Sequence, residues 1–348
     1  MTLSLSRRRW LGHTATVAAG LGVPTLLRAQ AAPVKIRFQL DWRADGQAAP
    51  FFYTLSKGYF AQEGLDVSFD VGSGSAMAVN RVASGVYEMG YGDVNALIEF
   101  LTNTPNAPSM PQAVYMVLES TPAAVMSLTR SNINKPADLA GKTLGAPPFD
   151  AGRKLWPLFA KLQGLAPDAV KWTNIDPALR EVMLVKGQVD AVTGFQPSGL
   201  ISAIAAGAKE EELRIFHYKD FGVNVYGNAI LTGSRFQAEQ PAAVAGFLRA
   251  YNRGLKESMA NYDEAIKVLK AREPIIDTTV EMRRLRGLIE QCVLTPTTKA
   301  QGLGEVNGAR LAKQITDVAQ AFNLPAAPKP EAVFNPAFLP AKTTRMMV

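Results

Sequence analysis

Residues 40–67 read LDWRADGQAAPFFYTLSKGYFAQEGLDV, and the order of residue types in this stretch decides the fold class. An apolar strand, VKIRFQL (34–40), runs into Asp41 and Trp42. Small residues follow, among them Ala44, Gly46, Ala48 and Ala49, and only then does a helical pattern begin, over about 48–63. It stops at Gly64, and a second strand, LDVSFDV (65–71), comes next. A strand, an open loop, a helix and another strand make the repeating unit of a parallel sheet covered by helices.

The pattern continues outward. A helix over about 76–84 and a strand at YEMGYG (87–92) complete a βαβαβ series. AVYMVL (113–118) and AVMSLT (124–129) flank Glu119-Ser120-Thr121-Pro122-Ala123, an apolar pair joined by a Pro-containing bend without a helix. That is how a chain leaves one sheet for another. A second series follows, with strands at 142–147, 170–175 and 189–195 and helices over about 151–163, 177–186 and 197–206. VNVYGNAILTGS (223–234) can return the chain to the first sheet; helical periodicity takes over from Pro241, and the Pro- and Ala-rich tail after Asn323 reads as a surface strap.

With 348 residues, 47% of them hydrophobic, the chain has material for two cores. The expected fold is α/β with two lobes, each a mostly parallel sheet flanked by helices, hinged at two crossings. The expected boundaries are 1–31 for an export signal, 32–120 with 229–348 for lobe 1, and 121–228 for lobe 2.

Ser6-Arg7-Arg8-Arg9-Trp10-Leu11 precedes a short apolar run that closes on Ala29-Gln30-Ala31, the make-up of a twin-arginine signal. The formal charge of +7 becomes +3 once Arg7, Arg8, Arg9 and Arg28 are removed with it. The remaining basic residues are scattered, which argues against nucleic acid. Cys292 is the single cysteine, so an internal disulfide and a Cys-rich metal site are both excluded. The expected protein is periplasmic and free of cofactor, with the Tat export machinery and a small-molecule ligand as partners.

Ligands favour interfaces between lobes and the carboxyl ends of parallel strands. The residues expected there are Asp41, Trp42, Asp45, Gln47, Ser73, Asp93, Asn95, Thr121, Phe149, Asp150, Phe195, Gln196 and Tyr226. Rings interleaved with short polar groups suit a flat polar solute, since the rings stack and the amides and carboxylates read its edge. Each position also has a plainer reading. Trp42 can roof a core, Ser75, Asp93 and Asp150 can cap helices, and Phe149 and Phe195 can be core aromatics. A cation at Arg43 or Arg153 would favour an anionic ligand instead. His217, in RIFHY, has no second metal ligand and no serine elbow near it, so it is expected on a surface or an edge strand.

Leu40-Asp41-Trp42, Lys57-Gly58-Tyr59-Phe60, Glu63-Gly64-Leu65-Asp66-Val67, Gly72-Ser73-Gly74, Tyr91-Gly92-Asp93, the segment KPADLAGK (135–142) and Lys186-Gly187-Gln188-Val189-Asp190-Ala191 occur in order along most of the chain. Together they resemble the bacterial solute-binding proteins of importers for thiamine pyrimidine precursors, aliphatic sulfonates and nitrate. The Asp-Trp pair is most similar to the pyrimidine branch, whose fungal relatives form pyrimidines. That resemblance implies that Trp42 stacks on a planar ring while Asp41 or its neighbours meet the ring's amino groups. It also implies a departure: Arg43-Ala44-Asp45 replaces the branch's usual sequence, Ala48 stands where it has a histidine, and the Cys-rich segment of the fungal enzymes is missing. The resemblance therefore implies a monomeric binding protein of the type II periplasmic-binding-protein fold, with an inner-membrane ABC permease as partner, and not an enzyme.

Overall fold

β1 (Val34–Gln39) and β2 (Leu65–Asp70) lie side by side and parallel, with Val34 opposite Leu65 and Gln39 opposite Asp70. They belong to a computed structural model that describes residues 32–347, so the export-signal expectation for 1–31 lies outside the described residues. Along β2, Leu65, Val67 and Phe69 are buried while Asp66, Ser68 and Asp70 are exposed, the alternation of an edge strand covered on one face.

β3 (Met89–Asp93), β4 (Pro111–Met116), β5 (Ala123–Leu128), β6 (Thr143–Ala146), β7 (Lys171–Asn174), β8 (Ala191–Phe195), β9 (Leu213–His217) and β10 (Asn228–Gly233) follow along the chain. They form two five-stranded sheets, ordered β2-β1-β3-β10-β4 and β7-β6-β8-β5-β9. In the first, β1 pairs in parallel with β2 and β3, and β10 runs against both β3 and β4. In the second, β6 pairs in parallel with β7 and β8, and β5 runs against both β8 and β9. Each sheet thus has four strands in one direction and one reversed. The reversed strand is in both cases the one laid down as the chain arrives from the other sheet, through residues 117–122 and 218–227.

The expected helix over 48–63 is two helices, Ala49–Ser56 and Tyr59–Gln62, because Gly58 takes a left-handed conformation between them (φ 69°). Two elements are not legible in the sequence reading. The helix Val94–Asn103 opens with an almost wholly apolar, buried stretch, residues 94–98, and only its second half reaches the surface, so the helical period is too short to read. β9 is short, and its burial alternates only loosely. His217 lies on it, at the edge of the second sheet.

The first core is aromatic: Phe38 stacks on Phe247 at 5.1 Å, and Phe51 on Tyr251 at 4.5 Å. Phe159 and Tyr218, stacked at 4.4 Å, centre the second sheet's core. The helix Gly308–Ala321 packs on both Val94–Asn103 and Ala151–Leu162, making an apolar seam behind the two crossings. The tail runs along β4, where the Asn335 N–H donates to the Ala113 carbonyl at 2.8 Å. No helix among the described residues is long and apolar enough to cross a membrane.

Candidate ligand-binding site

The loop after β1 and the start of the helix Ser75–Ala83 face the starts of the helices Ala151–Leu162, Arg180–Val185 and Gln196–Ala205 across a narrow cleft, part of it open to solvent. The first sheet's side contributes Asp41, Trp42, Asp45, Gln47, Ser75 and Tyr91; the second contributes Asp150, Arg180, Phe195 and Ser198. Strand ends leave room here because each helix starts beyond its strand and presents its first turn to the gap.

Asp41 accepts from the Asn228 side-chain amide at 2.7 Å and from the Ser75 hydroxyl at 3.3 Å. Burial of its carboxyl outweighs those bonds and pushes its pKa up to about 7. Trp42 is half-buried, lines the cavity, and has a buried indole N–H without a partner among the described residues. Asp45 joins the two walls: it accepts from the Ser198 hydroxyl at 3.1 Å and lies 3.8 Å from the Arg284 guanidinium. Arg284 in turn donates to Ser202 at 3.0 Å and pairs with Glu281, whose other oxygen takes the Gly46 N–H at 2.6 Å. Asp150 caps its helix through the Arg153 N–H at 2.9 Å and also accepts from Thr193 and Arg180, each at 3.1 Å. Two glycines permit this closeness. A Cβ on Gly74 (φ 141°) would stand 2.2 Å from the Phe149 carbonyl oxygen, and one on Gly194 (φ 158°) 2.3 Å from Arg180.

Of the sequence-predicted residues, Asp41, Trp42, Asp45, Gln47, Asp150 and Phe195 come together at the cavity. Seven lie off it. Tyr226 is buried in the second crossing, its ring under the Arg310 guanidinium at 4.1 Å and its hydroxyl accepting from the Asn307 N–H at 2.9 Å. Asn95 is held behind it, donating to the Tyr226 carbonyl at 3.1 Å and accepting from Gln314 at 2.8 Å. Asp93 is a helix cap, accepting from the Asn95 and Ala96 N–H groups, and burial raises its pKa to about 6. Thr121 caps the start of β5 by accepting from the Ala123 N–H at 3.2 Å. Gln196 is buried beside the first crossing and donates its backbone N–H to Pro122 at 2.9 Å. Ser73 turns toward Met77. Phe149 is 37% exposed, and it is its carbonyl that turns inward, accepting from the Ala76 N–H at 3.3 Å.

Ser75 does not cap its helix as its position suggested; Gly74 takes the cap position, which frees the hydroxyl for Asp41. Arg153 turns away from the cavity to stack on Trp172 at 4.7 Å, whereas Arg43 lines it. Sequence reasoning missed Arg180 and Tyr91. Gly194, next to Phe195, was the one local sign that something large approaches the strand end, and what approaches it is Arg180.

The family description "NMT1/THI5 like" matches residues 45–265, more than half of the chain. The chain belongs to the NMT1/THI5-like family. Among curated proteins, this NMT1/THI5-like chain is 26% identical over 262 residues to the formylaminopyrimidine-binding protein of Halalkalibacterium halodurans, covering 74% of this chain and 77% of that one. It is 22% identical over 245 residues to the 4-amino-5-hydroxymethyl-2-methylpyrimidine phosphate synthase of Legionella pneumophila, covering 70% and 75%. Among solved structures, the alkanesulfonate-binding protein SsuA from Xanthomonas axonopodis pv. citri, bound to MOPS, superposes with a TM-score of 0.66 at 16% identity, covering 88% of this chain and all of that one. The periplasmic-binding-protein fold is therefore shared.

Proposed function

We propose that this chain is the solute-binding subunit of an ABC importer, that it works in the periplasm after twin-arginine export, and that it captures a small, planar, uncharged or weakly basic nitrogen heterocycle of the aminopyrimidine kind. The observation that carries the ligand class is the lining of the cavity: three acids, Asp41, Asp45 and Asp150, stand beside two guanidiniums, Arg43 and Arg180, and Arg180 is already paired with Asp150. Carboxylates accept hydrogen bonds and repel anions, so a guest with amino groups or a protonated ring nitrogen fits and a sulfonate does not. Trp42 supplies the stacking face, and its indole N–H donates to a ring nitrogen or carbonyl.

Closure follows from where the contacts lie. Ser198 and Arg180 on one wall and Asp45 and Trp42 on the other meet only when the walls come together, so a guest touching both walls favours the closed form. The two crossings act as the hinge, and the closed protein, a monomer, hands its guest to a membrane permease. Binding without chemistry is favoured over synthesis, since Ala48 occupies the position of the pyrimidine branch's histidine.

Purified protein melted with 4-amino-5-hydroxymethyl-2-methylpyrimidine, formylaminopyrimidine, methanesulfonate and nitrate tests the proposal. At a hundred times its dissociation constant a cognate ligand adds about 2.7 kcal/mol of stability. Stabilisation by the pyrimidines, with ligand recovered unchanged by mass spectrometry, is the expected result. Stabilisation by the anions alone overturns the ligand class, and a mass change on incubation overturns the binding role.

A further inference from the structure

An arginine in a ligand cleft ordinarily anchors a carboxylate, sulfonate or phosphate, because its planar fork of N–H donors matches their oxygens. Arg180 lines this cavity, yet its fork is already engaged. Its side chain is only 2% exposed, its Nε and one terminal nitrogen both reach Glu181 Oε1, at 2.8 and 2.6 Å, and the other terminal nitrogen reaches Asp150 Oδ2 at 3.1 Å. The guanidinium carbon lies over the Trp42 ring, 4.8 Å from its centre. Glycine at 194 makes the room for this arrangement, since a Cβ there would collide with the guanidinium.

Both carboxylates sit on the same side of the cleft as Arg180, so the pairing is complete before the walls close. Glu181 itself is buried behind the cavity and does not line it. A guest therefore meets a guanidinium whose charge is balanced from behind by an acid it never touches. Burial pulls the Arg180 pKa down, but Glu181 and Asp150 outweigh that effect and it ends raised, so the guanidinium stays charged.

We infer that Glu181 is a specificity-determining residue, which masks Arg180 and thereby excludes anions from a cleft that otherwise contains an anion anchor. Discrimination of this kind comes from a repulsive or neutralising element as much as from contacts with the favoured guest. The inference rests on the reading of the cavity as a site for an uncharged or weakly basic heterocycle. It goes beyond that reading in naming the residue that holds the preference and the anion selectivity that lies beneath it.

Titration calorimetry with 4-aminopyrimidine and methanesulfonate on the wild type, Glu181→Gln and the double variant Arg180→Met/Glu181→Met tests it. Glu181→Gln should raise methanesulfonate affinity at least tenfold relative to wild type, and the double variant, lacking the guanidinium, should show no gain. No gain in Glu181→Gln, or an equal gain in the double variant, overturns the inference. Should the glutamine variant fail to fold, Glu181→Asp keeps the buried charge but withdraws it by one methylene; methanesulfonate affinity then rises by a smaller factor, and no rise overturns the inference. A wild type that prefers methanesulfonate overturns the proposed ligand class, and that outcome is read separately from the effect of Glu181.

Discussion

The hydroxyl of Ser198 donates to the carboxylate of Asp45 at 3.1 Å, a bond between residues 153 positions apart that joins the two walls of the cleft. Asp45 holds a second tie across the same gap, through Arg284 and its bond to Ser202. On the proposed function, closure draws partly on the protein's own side chains, so removing one of them should shift the balance between open and closed forms. Ser198→Ala should weaken ligand binding by about 1.5 kcal/mol, the lower end of the range for a hydrogen bond to a charged group. Calorimetry reads the affinity, and X-ray scattering should show a larger radius of gyration without ligand. An unchanged radius and affinity would remove the bond from the closing mechanism.

Trp42 is half-buried at the cavity, so its loss should remove binding more than stability. Trp42→Ala is expected to abolish the ligand-induced rise in melting temperature while costing less than about 3 kcal/mol of unfolding free energy, below the range for a fully buried ring. Urea denaturation and calorimetry separate the two effects. Collapse of the fold would instead make the indole a core residue.

Gly74 meets the Phe149 carbonyl from across the cleft, in a backbone conformation that favours glycine. Gly74→Ala should hold the walls apart, lowering affinity for every ligand tested at least tenfold. Scattering curves that no longer change on ligand addition are the expected signature; a normal ligand-induced compaction would refute the account.

Asp41 makes stability depend on pH. Its folded pKa of about 7 lies above the ordinary 3.8, so the folded state holds the proton more tightly, and stability falls as pH rises from about 4 to about 7. Asp93, at about 6, acts in the same direction at the lower end of that window, while His217, lowered by burial, acts in the opposite one. The difference between wild type and Asp41→Asn isolates the Asp41 contribution. The variant should gain on the wild type as pH rises from about 5, by about 1 kcal/mol per pH unit, and the gain should flatten near pH 7 as the folded carboxyl ionises. Parallel curves from urea denaturation across that range would show that the carboxyl is ordinary.

Arg310 and Gln314, on one helix, grip both crossings: Arg310 donates to the Glu119 carbonyl at 2.9 Å and covers Tyr226, and Gln314 accepts the Tyr226 N–H at 2.9 Å. Arg310→Ala is expected to change affinity for all ligands by one common factor, because it alters the hinge and not the cavity. Affinities for two dissimilar ligands, compared as a ratio, check this; a changed ratio would mean that Arg310 reaches the site.

The order of the strands and helices, the helix Val94–Asn103 and β9 excepted, the change of sheet at residues 119–123 and the presence of Asp41, Trp42, Asp45, Gln47, Asp150 and Phe195 around one cavity follow local patterns of apolar spacing and strand ends, which act over a few residues and are therefore written in the chain itself. What the tertiary structure alone decided is direction and pairing. Tyr226, Asn95 and Thr121 also follow strand ends, but the two crossings and the helix Gly308–Ala321 turn them inward as hinge fittings. Arg180 carries no local mark, and its charge is given its meaning by Glu181, Asp150 and an indole 138 positions earlier in the chain. Electrostatic balance is a sum over neighbours in space, and those neighbours exist only once the chain has folded.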